Sequence, residues 1–263
     1  MKSILTITGF AAPSKAASHF AMYLANKMKA NVTLCNAIEN PTIERFSNEQ
    51  LKSQAKGLQK AEQMQTACPQ IDYYTGLGSV TEVASNLIKK RSFSLVVVEI
   101  SDARMQLKDN SQNIIDSISC PLLLIPLKTL PKVINKIAFA SDFSVGDVEV
   151  IQSLVSFARP FNAEILIVRI SEVKADQLQI NDFLDKVTNQ VNYDKIYYRH
   201  IEDFIVSRGL SWIAKNGYID VFAMVHRSRT STGDFFHASL TKELSKDIDI
   251  PLLVFQEGHY PVF

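Results

Sequence analysis

Residues 219–255, IDVFAMVHRSRTSTGDFFHASLTKELSKDIDIPLLVF, decide how this chain folds. The stretch opens on an apolar run, 221–225, too short for a buried helix and long enough for a buried strand. A polar loop of Ser, Thr and Arg with a single Gly follows. Phe236, Leu240 and Leu244 then recur at i, i+4 and i+8, the spacing of an amphipathic helix, and a second apolar run begins at Pro251. Strand, loop, helix and strand form an α/β crossover. The loops that follow such strands are where open parallel sheets bind ligands.

Outward from that stretch, the chain repeats itself. Residues 4–10 (ILTITGF) answer 137–143 (IAFASDF) at an offset of 133, as 30–32 answer 163–165. Residues 121–125 (PLLLI) answer 251–255 (PLLVF) at an offset of 130. Each half is thus a copy of one unit of about 130 residues. Two prolines in 126–134 suit an extended connection. The expected division is a domain over 1–127, a linker over 128–132 and a domain over 133–263.

In the first half, strands are expected at 3–8, 32–38, around Tyr73-Tyr74, at 95–100 and at 121–125. Ser14 suits an N-cap for a helix burying Ala17, Phe20, Ala21, Leu24 and Met28. A long polar helix over 41–67, a turn at Gly76-Leu77-Gly78, a helix over 80–90 and a short one over 114–118 complete it. In the second half, a strand over 137–141 leads to Ser144 and Asp147, spaced as a capping-box helix start. That helix should bury Val148, Ile151, Leu154, Val155 and Ala158. A strand over 164–170 precedes a helix carrying Ile180, Phe183, Leu184, Val187 and Val191. A strand over 195–199 and a helix over 202–215, stopped by Asn216-Gly217, come next. Each half reads βαβαβαβαβ. The fold class is α/β: two tandem open parallel five-stranded sheets, Rossmann-like, with helices on both faces.

Composition narrows the function. Lys plus Arg number 28 and Asp plus Glu 27, a net charge of +1, so no basic field exists to hold nucleic acid or a membrane surface. No apolar run is long enough to span a bilayer, and the N-terminus alternates like a strand rather than a signal peptide. Cys35, Cys68 and Cys120 are scattered in apolar or helix-end settings, which points to reduced thiols in a cytoplasm and no disulfide within the chain. His226 and His237 flank one loop, but apart from Asp234 no further ligand completes a metal shell, so no metal is expected. His200 with Asp203 suits a structural pair at a helix start, His19 an exposed helix position and His259 the tail. No nucleophile elbow and no Cys/His arrangement is found, so no enzyme is expected.

Four marks carry a family resemblance: the strand followed by Asp142-Phe143-Ser144, the Ile219-Asp220 entry to the fourth strand, the spacing of the loop after Val225, and the Pro-Leu-Leu fifth strands. Through them the chain resembles tandem universal stress proteins over nearly its whole length, apart from 258–263. The resemblance implies an adenine nucleotide alpha hydrolase-like fold. In nucleotide-binding relatives the fourth strand runs into a glycine loop that ends in Gly-Ser or Gly-Thr. Here Val225, Ser228 and Ala238 hold the three glycine positions, and Ser239 keeps the hydroxyl. The Asp that contacts adenine in relatives is matched by Asp142, and Ile170 joins the implied ligand set. In the first half the Asp position is Gly9 and the first glycine position is Glu99, so ATP binding there is not expected.

Around the second loop, Arg227 and Arg229 with Ser228, Thr230, Ser231 and Thr232 form either a solvated surface loop or an anion site. The implied function is a stress-response or regulatory protein, a non-catalytic scaffold with weak or absent nucleotide binding and no cofactor. The alternatives are an ATP-binding protein with weak hydrolysis in its C-terminal domain, or a binder of another small ligand. The apolar fifth strands are expected to pair as an intramolecular pseudo-dimer, with a homodimer as a further state, and the protein partner is not named by the sequence.

Overall fold

In the computed structural model, residues 2–7, 15–38, 44–62, 69–100, 110–127, 129–144, 146–171, 176–203, 205–227, 244 and 249–263 are described. The chain divides into two compact units, Met1–Pro131 and Lys132–Phe263.

The first unit runs β1 (Ser3–Ile7), α1 (Lys15–Met28), β2 (Asn31–Ile38), α2 (Glu44–Glu62), β3 (Ile71–Leu77), α3 (Val80–Lys90), β4 (Leu95–Ile100), α4 (Asn110–Ser117), β5 (Leu122–Pro126). Its strands lie in the order β3-β2-β1-β4-β5, and every pair is parallel. The second unit repeats this with β6 (Lys136–Ala140), α5 (Asp147–Ala158), β7 (Glu164–Ser171), α6 (Gln177–Gln190), β8 (Ile196–Glu202), α7 (Val206–Asn216), β9 (Val221–His226) and β10 (Leu252–Gln256). Its order is β8-β7-β6-β9-β10, again parallel throughout. The loop and amphipathic segment expected between β9 and β10 fall mostly outside the described residues. Leu244, the described part, is helical and buried.

Continuous apolar strands are what a sheet covered on both faces requires. β4 is buried at five of its six positions and β9 at all six. The outer strands β3 and β8 are only half-buried, and each carries a Tyr-Tyr pair. On α1 the expected face, Ala17, Phe20, Ala21, Leu24 and Met28, is buried.

Two local readings need correction. Gly76 lies inside β3 rather than in a turn, and a Cβ there would come within 2.6 Å of Val83 Cγ1 on α3. Its smallness lets the helix approach the strand, while the turn belongs to Gly78, with φ +121°. The start of α5 is not a capping box either. Its N-cap is Gly146 at φ +100°, with no side-chain cap, and Asp147 is the first helical residue. The Ser-x-x-Asp spacing is real but lies two residues too early. A capping box does close α3: Ser79 Oγ accepts from the Glu82 N–H, and the Glu82 carboxylate accepts from the Ser79 N–H at 3.0 Å.

Cys35 and Cys120 are buried, and burial pushes both thiols up to about 12. Cys120 Sγ donates to the Phe93 carbonyl at 3.2 Å. Protonated thiols are poor nucleophiles. Neither should react with DTNB in the folded protein at pH 8, and both should react once it is denatured. Cys68 lies outside the described residues.

Candidate functional site

In a sheet of order 3-2-1-4-5, the strand order reverses between the first and fourth strands, and the crevice beyond their carboxyl ends is the binding position. In the second unit these strands are β6 and β9. The chain leaves β6 through Ser141-Asp142-Phe143 and leaves β9 through His226-Arg227.

Arg227 is 4% exposed and lies between two carboxylates. Its Nη2 is 2.6 Å from Asp147 Oδ1, and its Nη1 is 3.4 Å from Asp142 Oδ1. Ser141 Oγ donates to the other Asp147 oxygen at 2.5 Å. Asp142 Oδ1 also accepts from the Ser144 N–H at 3.1 Å, a local turn that fixes its orientation. Phe143 is held at φ +65°, with its N–H on Ser141 Oγ at 3.1 Å. Its ring stacks on Phe183 of α6 at 4.3 Å. A non-glycine residue in the left-handed region costs roughly 1–2 kcal/mol, which the hydrogen bond and the stacking offset.

Residues 258–263 cover this corner. Beyond β10 a tight turn, with Gly258 at φ +73° and a His259 N–H bond to the Gln256 carbonyl, sends the chain back. Tyr260 packs against Gly146, where an added Cβ would lie 3.3 Å from its Oη. Ser153 Oγ donates to the Pro261 carbonyl, and the Phe263 N–H donates to Ser156 Oγ at 2.8 Å. Phe263 is 1% exposed, edge-on to Phe157 and Phe255. The segment expected to lie outside the repeated unit therefore folds back onto the second unit and places Phe263 in its core.

The electrostatics follow from burial. Burial pushes the Asp147 carboxyl from 3.8 up to about 6, against the pull of Arg227 and the Ser141 hydrogen bond. Burial alone would lower Arg227, but Asp147 and Asp142 outweigh it and hold the guanidinium charged. Between about pH 4 and 6 the folded chain keeps a proton on Asp147 that the unfolded chain has released. The contribution of this group to stability is therefore full near pH 4 and is lost as pH rises through 6. It is on the order of 2–3 kcal/mol. In urea titrations the wild type should lose stability relative to Asp147→Asn between pH 4.5 and 7, and a constant difference would contradict the assignment.

Three of the implied site residues are described. Asp142 is where the resemblance places it, its carboxylate already engaged by Arg227. Ile170, near the end of β7, is buried, and its side chain lies where a Cβ on Gly209 of α7 would be. Val225 sits within β9 opposite Phe255, so the first glycine position is paired strand rather than loop. Glu99 is placed likewise in β4, opposite Ile125. Ser228, Ala238 and Ser239 lie outside the described residues, as do Gly9, Ser14, Arg229, Thr230, Ser231, Thr232, Asp234 and His237. Arg227 fits neither expectation for it: it is not solvated, and its charge is taken up by carboxylates. Asp147 and Tyr260 were not singled out as site residues in the sequence.

His226 is buried in β9, and among the described residues no group of three His, Cys, Asp or Glu side chains gathers to hold a metal. His200 Nε2 meets Ser171 Oγ at 2.9 Å, while Asp203 accepts the Ile205 N–H and pairs with Arg208 at 2.5 Å. A cavity of about 690 Å³ opens elsewhere, between α6 and β8, lined by Leu184, Val187, Val191, Tyr193 and Tyr198.

Residues 1–126 match the model described as the universal stress protein family. The first half of this chain is therefore similar to a universal stress protein domain. The whole chain superposes on a universal stress protein from Archaeoglobus fulgidus DSM 4304 with a TM-score of 0.72 and 12% identity, covering 97% of this chain and 98% of that one. A protein of Pseudomonas aeruginosa UCBPP-PA14 assigned to the universal stress proteins gives 0.69 at 12% identity, covering 97% and 93%. The cytoplasmic domain of a prokaryotic cation chloride cotransporter gives 0.56 at 10% identity, covering 97% and 95%. At such identities the likeness is one of fold, and one fold serves different tasks. No curated protein matches the chain significantly. The second universal stress protein-like unit repeats the strand order of the matched one, and among the described residues no helix is long and apolar enough to cross a membrane.

Proposed function

We propose that this chain is a non-catalytic, regulatory universal stress protein whose second unit has closed its nucleotide crevice with its own arginine. The observation that carries the reading is Arg227, buried between Asp142 and Asp147. A guanidinium satisfied by two carboxylates has no reason to release them for phosphate. The cluster as a whole carries one excess negative charge while Asp147 is ionised, so it repels polyphosphate. Asp142, implied as the adenine contact, is tied to the same arginine. The Val225 position adds a side chain inside a paired strand, where relatives use glycine to bring backbone close to ligand. Output would then run through a protein partner rather than through turnover.

Mass spectrometry of small molecules released from the purified, denatured protein tests this. The reading expects no adenine nucleotide at stoichiometric level. A nucleotide released one-to-one would overturn it in favour of an ATP-binding protein with weak hydrolysis, and a different metabolite would favour the small-ligand alternative. As part of the same proposal, the apolar strands β5 and β10, each last in its unit's own order, pair within one chain. A separated second unit should then self-associate in sedimentation velocity where the full chain does not. Equal behaviour of the two would count against the pairing.

A further inference from the structure

Among the described residues, two partly or fully buried arginines at the carboxyl ends of the second unit's strands are treated very differently. Arg227 has two carboxylates. Arg169, on β7, has none among the described residues: its Nη1 donates to the Asp142 carbonyl at 2.6 Å, and its guanidinium lies over the Phe143 ring at 4.3 Å. Its Nε is enclosed without an acceptor among the described groups, although the residue as a whole is only half-buried. A guanidinium removed from water without an anion is costly, and a carbonyl and a ring face supply only part of what is lost.

Other donors stand on the same face. Arg169 is in register with His200, and Ile167 with Tyr198, on neighbouring parallel strands. Residues in register on adjacent strands, and those two apart along a strand, share a face. Arg169, Ser171, Tyr198 and His200 therefore occupy one patch at the carboxyl ends of β7 and β8. Tyr198 Oη is enclosed and also lacks a described partner, while its ring lies 5.8 Å from Phe143. Burial raises the Tyr198 phenol and Arg169 draws it back down, so the two groups feel each other. Ser171 and His200 are bonded together beside them. The patch offers a guanidinium fork, a phenol, a hydroxyl and an imidazole, and the exposed Glu202, in register with Ser171, lies at its outer edge.

We propose that Arg169 and Tyr198 anchor a small oxyanion, a phosphate or a carboxylate, at the carboxyl ends of β7 and β8. Arg169 supplies the charge and a planar pair of N–H groups, and Phe143, held by Phe183, fixes the plane of the fork. This does not depend on the closed crevice, because Arg169 meets the Asp142 main-chain carbonyl and the Phe143 ring, whereas Arg227 meets the carboxylates of Asp142 and Asp147.

The test is calorimetric titration of the full chain at pH 7 with inorganic phosphate and, separately, with acetate, at ionic strength matched with chloride. Binding of either anion in the millimolar range is expected, and whichever binds identifies the headgroup. Arg169→Gln should weaken it about tenfold, as expected for loss of a charged hydrogen bond, and Tyr198→Phe by a few-fold. Should Arg169→Gln fail to fold, Arg169→Lys keeps the charge but loses the fork, and it should still weaken binding. No heat with either anion, or unchanged binding in the folded Arg169 variants, would overturn the proposal.

Discussion

Replacing Arg227 with Met should destabilise the second unit by about 3–5 kcal/mol, the usual cost of leaving buried charges without their partner. Two carboxylates would remain at 1% and 8% side-chain exposure, with Ser141 as the side-chain donor left to Asp147 among the described residues. Urea denaturation followed by circular dichroism would show the loss as an earlier transition. The variant also carries a rescue. Adding Asp147→Asn removes one orphaned charge while keeping a polar group beside Ser141, so the double variant should be more stable than Arg227→Met alone. Groups that share one network are not additive, and the sign of the interaction identifies them as a unit. Simple additivity of the two substitutions would mean that the arginine does not depend on Asp147.

Phe263→Ala should cost about 3 kcal/mol, near the lower end for a fully buried phenylalanine. The ring fills a space between Phe157 of α5 and Phe255 of β10, and its backbone N–H is tied to Ser156. The substitution leaves a cavity among aromatic side chains that cannot collapse without moving α5. Thermal unfolding of the variant is the check. A melting temperature unchanged from wild type would show that residues 258–263 rest on the unit without supporting it.

The architecture was largely legible because parallel strands buried on both faces are uninterrupted apolar runs. Residues 95–100 and 80–90 read off as strand and helix with the bounds they have as β4 and α3. The same holds for the face of α1, where Phe20 and Leu24 fall at helical spacing among alanines. Local punctuation was less reliable. Gly76 looked like a turn residue because glycines usually mark turns, yet its role is to let Val83 come close. Ser144 and Asp147 had capping-box spacing, but the positive φ of Gly146 set the start of α5.

The site was the least legible part. Asp142 could be found from its place after β6, since position after a strand is a local property. That Arg227 would turn inward could not, because its partners lie 80 and 85 residues earlier and only the 3-2-1-4-5 order brings β9 beside β6. An arginine in a Ser/Thr-rich segment looks solvated until the strand order is known. Tyr260 was hidden for a related reason, since the turn at Gly258 sends the chain back onto α5, and the length of the tail does not announce it.

Titration calorimetry of the unmodified full chain with ATP, at pH 7.5 with magnesium, tests the closed crevice most directly. With Arg227 held by Asp142 and Asp147, no binding tighter than about millimolar is expected, a free energy of roughly −4 kcal/mol. A micromolar dissociation constant would contradict the account, since it would require Arg227 to leave its carboxylates or the nucleotide to bind without the crevice.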